Sequence, residues 1–265
     1  MFTIVTCGDS KYFEFLHNFE NNVFDTFGYY PVIYDLGLKE SQIKSLKSEI
    51  QKINIEEEFW KLDINGYIKA THKPLCIKDI LEKKKVDCIY IDSDTIFTSK
   101  LFENKFHNVD IAITPRHKKE QKQEYYINGL INSGFIFFKN SKNTKSIVEK
   151  WIIACKETNT TDQKALSDIL KEQIDILYGK SNQQFDDTKI LLLDPEIYND
   201  VSCKTGIIFH FKNAARREKS LKKYRKFVVF QKRFTILVRT VVKLRRFAMK
   251  IIRQTVGNEH RFRED

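Results

Sequence analysis

The chain has 265 residues, 42% of them hydrophobic, with only 9 Gly and 4 Pro, which is enough for one large domain or two small ones with a true core and too little Gly and Pro for a long flexible linker. Its net charge of +11 is unevenly placed: 13 Lys and Arg and no acidic residue lie between Lys219 and Asn258, whereas residues 1–218 carry a net charge of −1. A neutral body with a cationic appendage argues against a nucleic-acid-binding fold, which needs a wider basic footprint.

In chain order, Phe2 to Cys7 reads as a short buried strand ending at Gly8. Lys11 to Phe27 carries apolar residues at helical spacing. A second strand runs from Pro31 to Gly37 and ends at a turn, and Leu38 to Ile53 is expected to be a polar-faced helix. Lys73-Pro74 opens a helix to about Lys85, with Pro in its first turn. Val86 to Ile91 is an almost continuous apolar strand running into Asp92-Ser93-Asp94. Asp110 to Thr114 is a further strand, and the charge-rich segment from Pro115 to Asn128 is expected to be a loop or lid. Asn132-Ser133-Gly134 reads as a turn ahead of the strand Phe135 to Phe138. Helices follow at about 144–157 and 162–172, then strands at Ile190 to Leu193 and Ile207 to Phe211. Strands alternating with helices predict an α/β sheet covered on both faces.

The five cysteines are odd in number, widely spaced and lack a Cys-x-x-Cys pair. They read as reduced thiols of a cytoplasmic protein rather than a disulfide framework or zinc knuckle. No secretory signal opens the chain, and no apolar run is long enough to span a bilayer.

The strongest chemical signal is Ile89-Tyr90-Ile91-Asp92-Ser93-Asp94. Two carboxylates two residues apart on a strand share one face and repel. At the C-terminal end of a buried strand, where open α/β sheets bind ligands, they can instead converge on one cation. Hard oxygen donors suit Mg²⁺ or Mn²⁺, which a diphosphate also holds. His210, at the end of an apolar strand and followed by Lys212, Arg216 and Arg217, supplies a candidate third ligand beside cations for a diphosphate. Asn132-Ser133-Gly134 offers small polar groups that admit close approach of a sugar hydroxyl. Thr161 looks like a helix N-cap, with Asp162 and Gln163 as candidates to face a donor sugar.

The same string also fits a haloacid-dehalogenase-type phosphatase, with Asp92 as nucleophile and Asp94 as acid/base. That reading ranks second. Such a motif usually sits on the first strand of its domain, and the only later Asp pair, Asp186-Asp187, does not follow an apolar strand.

Taken in order, Val5-Thr6-Cys7, Tyr34-Asp35-Leu36-Gly37-Leu38, Asp92-Ser93-Asp94, Asn132-Ser133-Gly134 with Thr161-Asp162-Gln163, and His210-Phe211-Lys212 resemble the GT-A glycosyltransferases. The likeness is greatest to the glycogenin and lipopolysaccharide-galactosyltransferase group of nucleotide-diphospho-sugar transferases, and it runs from about Phe2 to Arg217. The resemblance implies a Rossmann-like mixed sheet and a retaining, metal-dependent transfer from a nucleoside-diphosphate sugar, usually a UDP-sugar, to a glycan or glycolipid acceptor in cell-surface polysaccharide or lipopolysaccharide synthesis. It makes Asp92, Asp94 and His210 the metal ligands, with Asp92 shared with the ribose. Thr6, Cys7, Asp35 and Ser93 fall to the nucleotide side, Lys73 and Lys212 to the phosphates. Asn132, Ser133, Gly134, Asp162 and Gln163 shape the sugar pocket. The chain departs from the group after His210, where Lys212 replaces the usual Gly.

Residues 219–265 are expected to form a separate basic tail behind the transferase domain of residues 1–218. Apolar residues at Phe230, Phe234, Leu237, Val241, Leu244, Ala248 and Ile251 make a helical stripe about seven turns long. Arg225, Lys232, Arg239, Arg246 and Arg253 repeat every seven residues away from it. This pattern over residues 219–256 suits an anionic membrane surface on the cytoplasmic side. Self-pairing into a homo-oligomer and packing on the body are the competing readings.

Overall fold

A computed structural model describes residues 2–53, 70–116, 126–157 and 160–255. Ten strands are described: β1 (Phe2–Gly8), β2 (Val32–Asp35), β3 (Glu49–Gln51), β4 (Asp87–Ile91), β5 (Thr95–Phe97), β6 (Ile111–Pro115), β7 (Ile131–Phe138), β8 (Asn182–Phe185), β9 (Thr188–Leu192) and β10 (Ile208–His210). The α-helices are α1 (Phe13–Phe27), α2 (Glu40–Ser45), α3 (Lys73–Lys83), α4 (Lys142–Glu157), α5 (Asp162–Leu170), α6 (Pro195–Tyr198), α7 (Glu218–Arg233) and α8 (Thr235–Thr255).

Eight strands form one mixed sheet in the order β3-β2-β1-β4-β7-β6-β9-β8, and β5 pairs with β10 in an antiparallel ribbon. β3, β2, β1 and β4 run parallel to one another, whereas β7 is antiparallel to both β4 and β6. The central strands are buried on both faces: Ile89, Ile91, Tyr90, Phe135, Ile136, Phe137 and Phe138 are each 2% exposed or less. One face packs on α3, α4 and α5 through Ile77, Ile80, Trp151 and Leu166. The other packs on α1, on the segment after β9 and on β10 through Phe19, Val23, Leu193 and Ile208. This is the expected α/β layering, and it puts the C-terminal ends of β1 and β4 side by side.

The short elements β5, β8 and α6 were not expected, and three expected elements take another form. The helix expected over 38–53 stops at Ser45, because the Glu20 carboxylate of α1 accepts hydrogen bonds from the Lys47 and Ser48 amides and the Ser48 hydroxyl. That long-range capture extends the chain into β3. Asn132-Ser133-Gly134 is not a turn but lies inside β7, where the register with β6 shifts between Ile113 and Thr114. The bulge lets the Thr114 hydroxyl donate to the Asn132 carbonyl and re-aims the polar trio. The tail is two helices, with a break at Phe234.

That tail packs against the body. Tyr224, Val228, Val238 and Val242 are buried with Phe15 of α1 and with Ile96 and Phe209 of the ribbon. Four of the heptad cations also face inward. Arg225 pairs with Glu14 at 2.6 Å, Lys232 Nζ lies 3.1 Å from Asn18 Oδ1, Arg239 reaches the Asp25 carbonyl, and Arg246 Nε donates to the Thr205 carbonyl. The apolar stripe faces outward, with Leu237 51% and Leu244 62% exposed. The end of the expected tail, from residue 256, and most of the expected 115–128 loop, residues 117–125, lie outside the described residues.

Candidate active site

β4 delivers Asp92 to the sheet edge, and the chain turns at once into β5. The Thr95 amide and hydroxyl both donate to the Asp92 carbonyl, closing that turn. β10 runs antiparallel to β5 with His210 opposite Thr95, and the Phe211 amide donates to the Asp94 carbonyl. The ribbon thereby brings together residues separated by more than a hundred positions. His210 Nε2 lies 3.2 Å from Asp94 Oδ1 and 3.9 Å from Asp92 Oδ2. One ligand atom from each of Asp92, Asp94 and His210 lies within 4.8 Å of the others.

The imidazole is held from behind. His210 Nδ1 is 2.6 Å from Asn199 Oδ1, and Asn199 Nδ2 faces the Thr114 hydroxyl at 3.5 Å. An amide oxygen accepts, so Nδ1 carries the proton and Nε2 keeps its lone pair toward the two carboxylates. Two hard oxygens and a neutral imidazole nitrogen fit Mn²⁺ or Mg²⁺, and an acceptor behind the second ring nitrogen is the usual companion of a metal-binding histidine.

Lys73, in the first turn of α3, is 1% exposed. Its ammonium lies 3.0 Å from Asp92 Oδ1, 3.2 Å from Asp162 Oδ2 and 2.8 Å from Ser133 Oγ. The Ser133 hydroxyl in turn donates to Asp162 at 2.7 Å. Burial pulls the lysine pKa down, but Asp162 and Asp92 outweigh it and hold the group well above its ordinary value. Asp162, expected at the sugar, is thus also a counter-ion of Lys73. Its neighbour Gln163 accepts from Arg116 through Oε1 at 2.7 Å.

A cleft of about 520 Å³, the size of a small-molecule site, opens over this edge. Cys7, Lys73, Asp92, Ser93, Asp94, Asn132, Asp162, Gln163, His210 and Lys212 all line it. Other expected residues lie behind its wall. Thr6 is fully buried, Ser133 holds Lys73 from below, and Gly134 lies against His210. Asp35 instead closes a turn, accepting from the Gly37 and Leu38 amides.

The sequence reading missed Asp9, Tyr12, His72, Arg116 and Asn213, which also line the cleft, and Asn199 behind it. Asp9 directly follows β1 and caps the Lys11 amide, a signal that was available. Arg116 and Asn199 carry no local signal; only tertiary folding brings them in. The second Asp pair that a dehalogenase-type phosphatase requires is absent from the cleft. Asp186 instead sits at the β8–β9 turn with Lys150 and Gln173.

The sequence profile of the nucleotide-diphospho-sugar transferase family matches residues 63–247. The chain belongs to that family. The match includes most of the helical tail, and with it the phosphatase reading falls. No curated protein matches the sequence. Among solved structures, a glycosyltransferase involved in glycosylating the major capsid of PBCV-1 superposes with a TM-score of 0.50 at 15% identity, over 79% of this chain and 93% of that one. The galactosyltransferase LgtC, in complex with donor and acceptor sugar analogues, gives 0.44 at 16% identity over 63% and 69%. The glycosyltransferase GlyE of Streptococcus pneumoniae TIGR4 gives 0.46 at 15% identity over 74% and 46%. At such identities the PBCV-1 likeness is one of fold, and the fold is that of the GT-A glycosyltransferases. This nucleotide-diphospho-sugar transferase is therefore a glycosyltransferase built on a mixed sheet with its cleft at the β1–β4 edge.

Proposed function

We propose that the enzyme transfers a sugar from a UDP-sugar to a glycan or lipid-linked acceptor, with retention, in cell-surface polysaccharide or lipopolysaccharide synthesis. The convergence of Asp92, Asp94 and His210 within 4.8 Å at the cleft carries this reading. A divalent cation held by these three residues neutralises charge on a leaving nucleoside diphosphate. Lys212, Arg216 and Arg217 line the same cleft and suit phosphate oxygens. Cys7 and Ser93 belong to the nucleoside end; Asn132, Asp162 and Gln163 border the sugar. Lys73 fixes the Asp92 carboxylate, so that one of its oxygens is bound to the protein and the other faces His210. A retaining reaction needs no dedicated carboxylate base, and the reading assigns none. The five free cysteines suit a cytoplasmic site.

Calorimetric titration of UDP with and without Mn²⁺, on the native chain and on Asp94→Ala, tests the reading. Binding that requires both the cation and Asp94 supports it. Equal binding by the variant, or none under any condition, sinks it.

A further inference from the structure

The two tail helices turn Arg225, Lys232, Arg239 and Arg246 to the body and their apolar side away from it. On α8, Val238 and Val242 are buried, whereas Ile236 is 82%, Leu237 51%, Leu244 62%, Phe247 63% and Ile251 46% exposed. At 100° per residue these five fall in one arc opposite the buried pair. Ala248 and Ile252, both exposed, widen the arc; Lys243 and Lys250 border it on one side and Arg245 on the other, all three exposed. Val229 and Phe230 continue the apolar surface onto α7, at 67% and 45% exposure. No acidic residue occurs between Lys219 and Asn258.

An apolar strip of this kind, on the outside of a helix already docked on its own protein, asks for a partner. The charge pattern says which. A second copy of the chain would bring cation against cation, with no carboxylate on α8 of either copy to balance them. Among the described residues no helix is long and apolar enough to cross a membrane. A planar anionic surface satisfies both halves of the pattern: acyl chains take the arc and headgroups take the flanking ammonium and guanidinium groups. We propose that the outward face of α8 docks on an anionic lipid bilayer and lies in its interface. Leu237, Leu244, Phe247 and Ile251 are then immersed, and Lys243, Arg245 and Lys250 lie among the headgroups. The inward ladder of Arg225, Lys232, Arg239 and Arg246 holds the helices to the enzyme, so docking fixes the whole transferase to the surface rather than tethering it on a strand.

Vesicle binding needs neither nucleotide nor metal, so this inference stands or falls apart from the proposed reaction. The test is co-sedimentation of the full chain with vesicles of phosphatidylcholine, pure or mixed equally with phosphatidylglycerol. Binding should require the anionic lipid and weaken with salt. Leu244→Glu with Phe247→Glu should lower it at least tenfold. Both positions are exposed, and an unchanged melting temperature shows that the fold is kept. Binding that is absent, indifferent to lipid charge, or unaltered in the double variant overturns the proposal. So does a dimer in sedimentation velocity that the double variant dissolves, which would assign the face to a second copy.

Discussion

Gly134 lies directly against His210: a methyl carbon placed on Gly134 would come within 2.6 Å of His210 Cε1 and 2.7 Å of Nδ1. The small residue in the middle of β7 is there to admit an imidazole. Gly134→Ala must therefore push the ring away from Asp94 or shift the strand. We expect the cation-dependent component of UDP binding to fall by about tenfold or more, as for loss of a ligand's orientation, with cation-independent binding little changed. Calorimetry at matched Mn²⁺ concentrations reads both.

Asn199 sets the tautomer of His210 through a 2.6 Å contact at Nδ1. Asn199→Leu removes the acceptor and lets the proton move to Nε2, where it blocks the lone pair. Removal of such an orienting partner typically costs about 10–100-fold in metal affinity. Mn²⁺ titration followed by electron paramagnetic resonance measures it directly; unchanged affinity would show that the contact is only structural.

Lys73 is the shared cation of two carboxylates. Lys73→Met leaves Asp162, 3% exposed, without its counter-charge, and breaking a buried pair from one side costs about 3–5 kcal/mol. Urea unfolding should show a loss of that order. The raised pKa has a further consequence. Its stabilisation is fully present below the unfolded lysine value of about 10.4 and is lost only as pH rises through the still higher folded value. This group therefore contributes no pH dependence to stability between about pH 6 and 9.

Cys7 lines the cleft with Tyr90 Oη at 3.0 Å and His72 Nε2 at 3.8 Å. The Cys76 hydrogen bond, joined by His72 and Tyr90, holds its thiol well below the usual range despite burial. Cys203, the other partly exposed cysteine, is pushed up to about 11 by burial, and Cys76, Cys88 and Cys155 are inaccessible. Iodoacetamide at pH 7 should alkylate Cys7 first, because the thiolate is the nucleophile. UDP should protect it. Peptide mapping by mass spectrometry distinguishes this from labelling that begins at Cys203.

The site was legible where chemistry and local pattern coincide. A long apolar strand running into Asp92 and Asp94 can be read without a structure, because burial on both faces leaves a continuous hydrophobic run and the carboxylates interrupt it. His210 was legible for the same reason. What the pattern hid was decided by distant partners. Glu20 captures Ser48 and ends the second helix early; Arg116 reaches Gln163 across 47 positions. The trio Asn132-Ser133-Gly134 looked like a turn because its residues favour one, yet the pairing of β7 with β4 and β6 holds it in a strand. In the tail the two faces were correctly separated, but their direction depends on Glu14 and Asn18, more than 200 residues away.

That last distance shapes how the molecule is made. Hydrogen bonds between α1 and the tail helices span 211 to 214 positions, so that whole intervening stretch must be synthesised before α1 acquires its outer cover. Until then Phe15 and Ile96 lack the Tyr224, Val228 and Val238 packing that buries them. Closing so large a loop is slow, and exposed apolar surface invites association meanwhile. α7 and α8 thus seal α1 only once everything between them is in place.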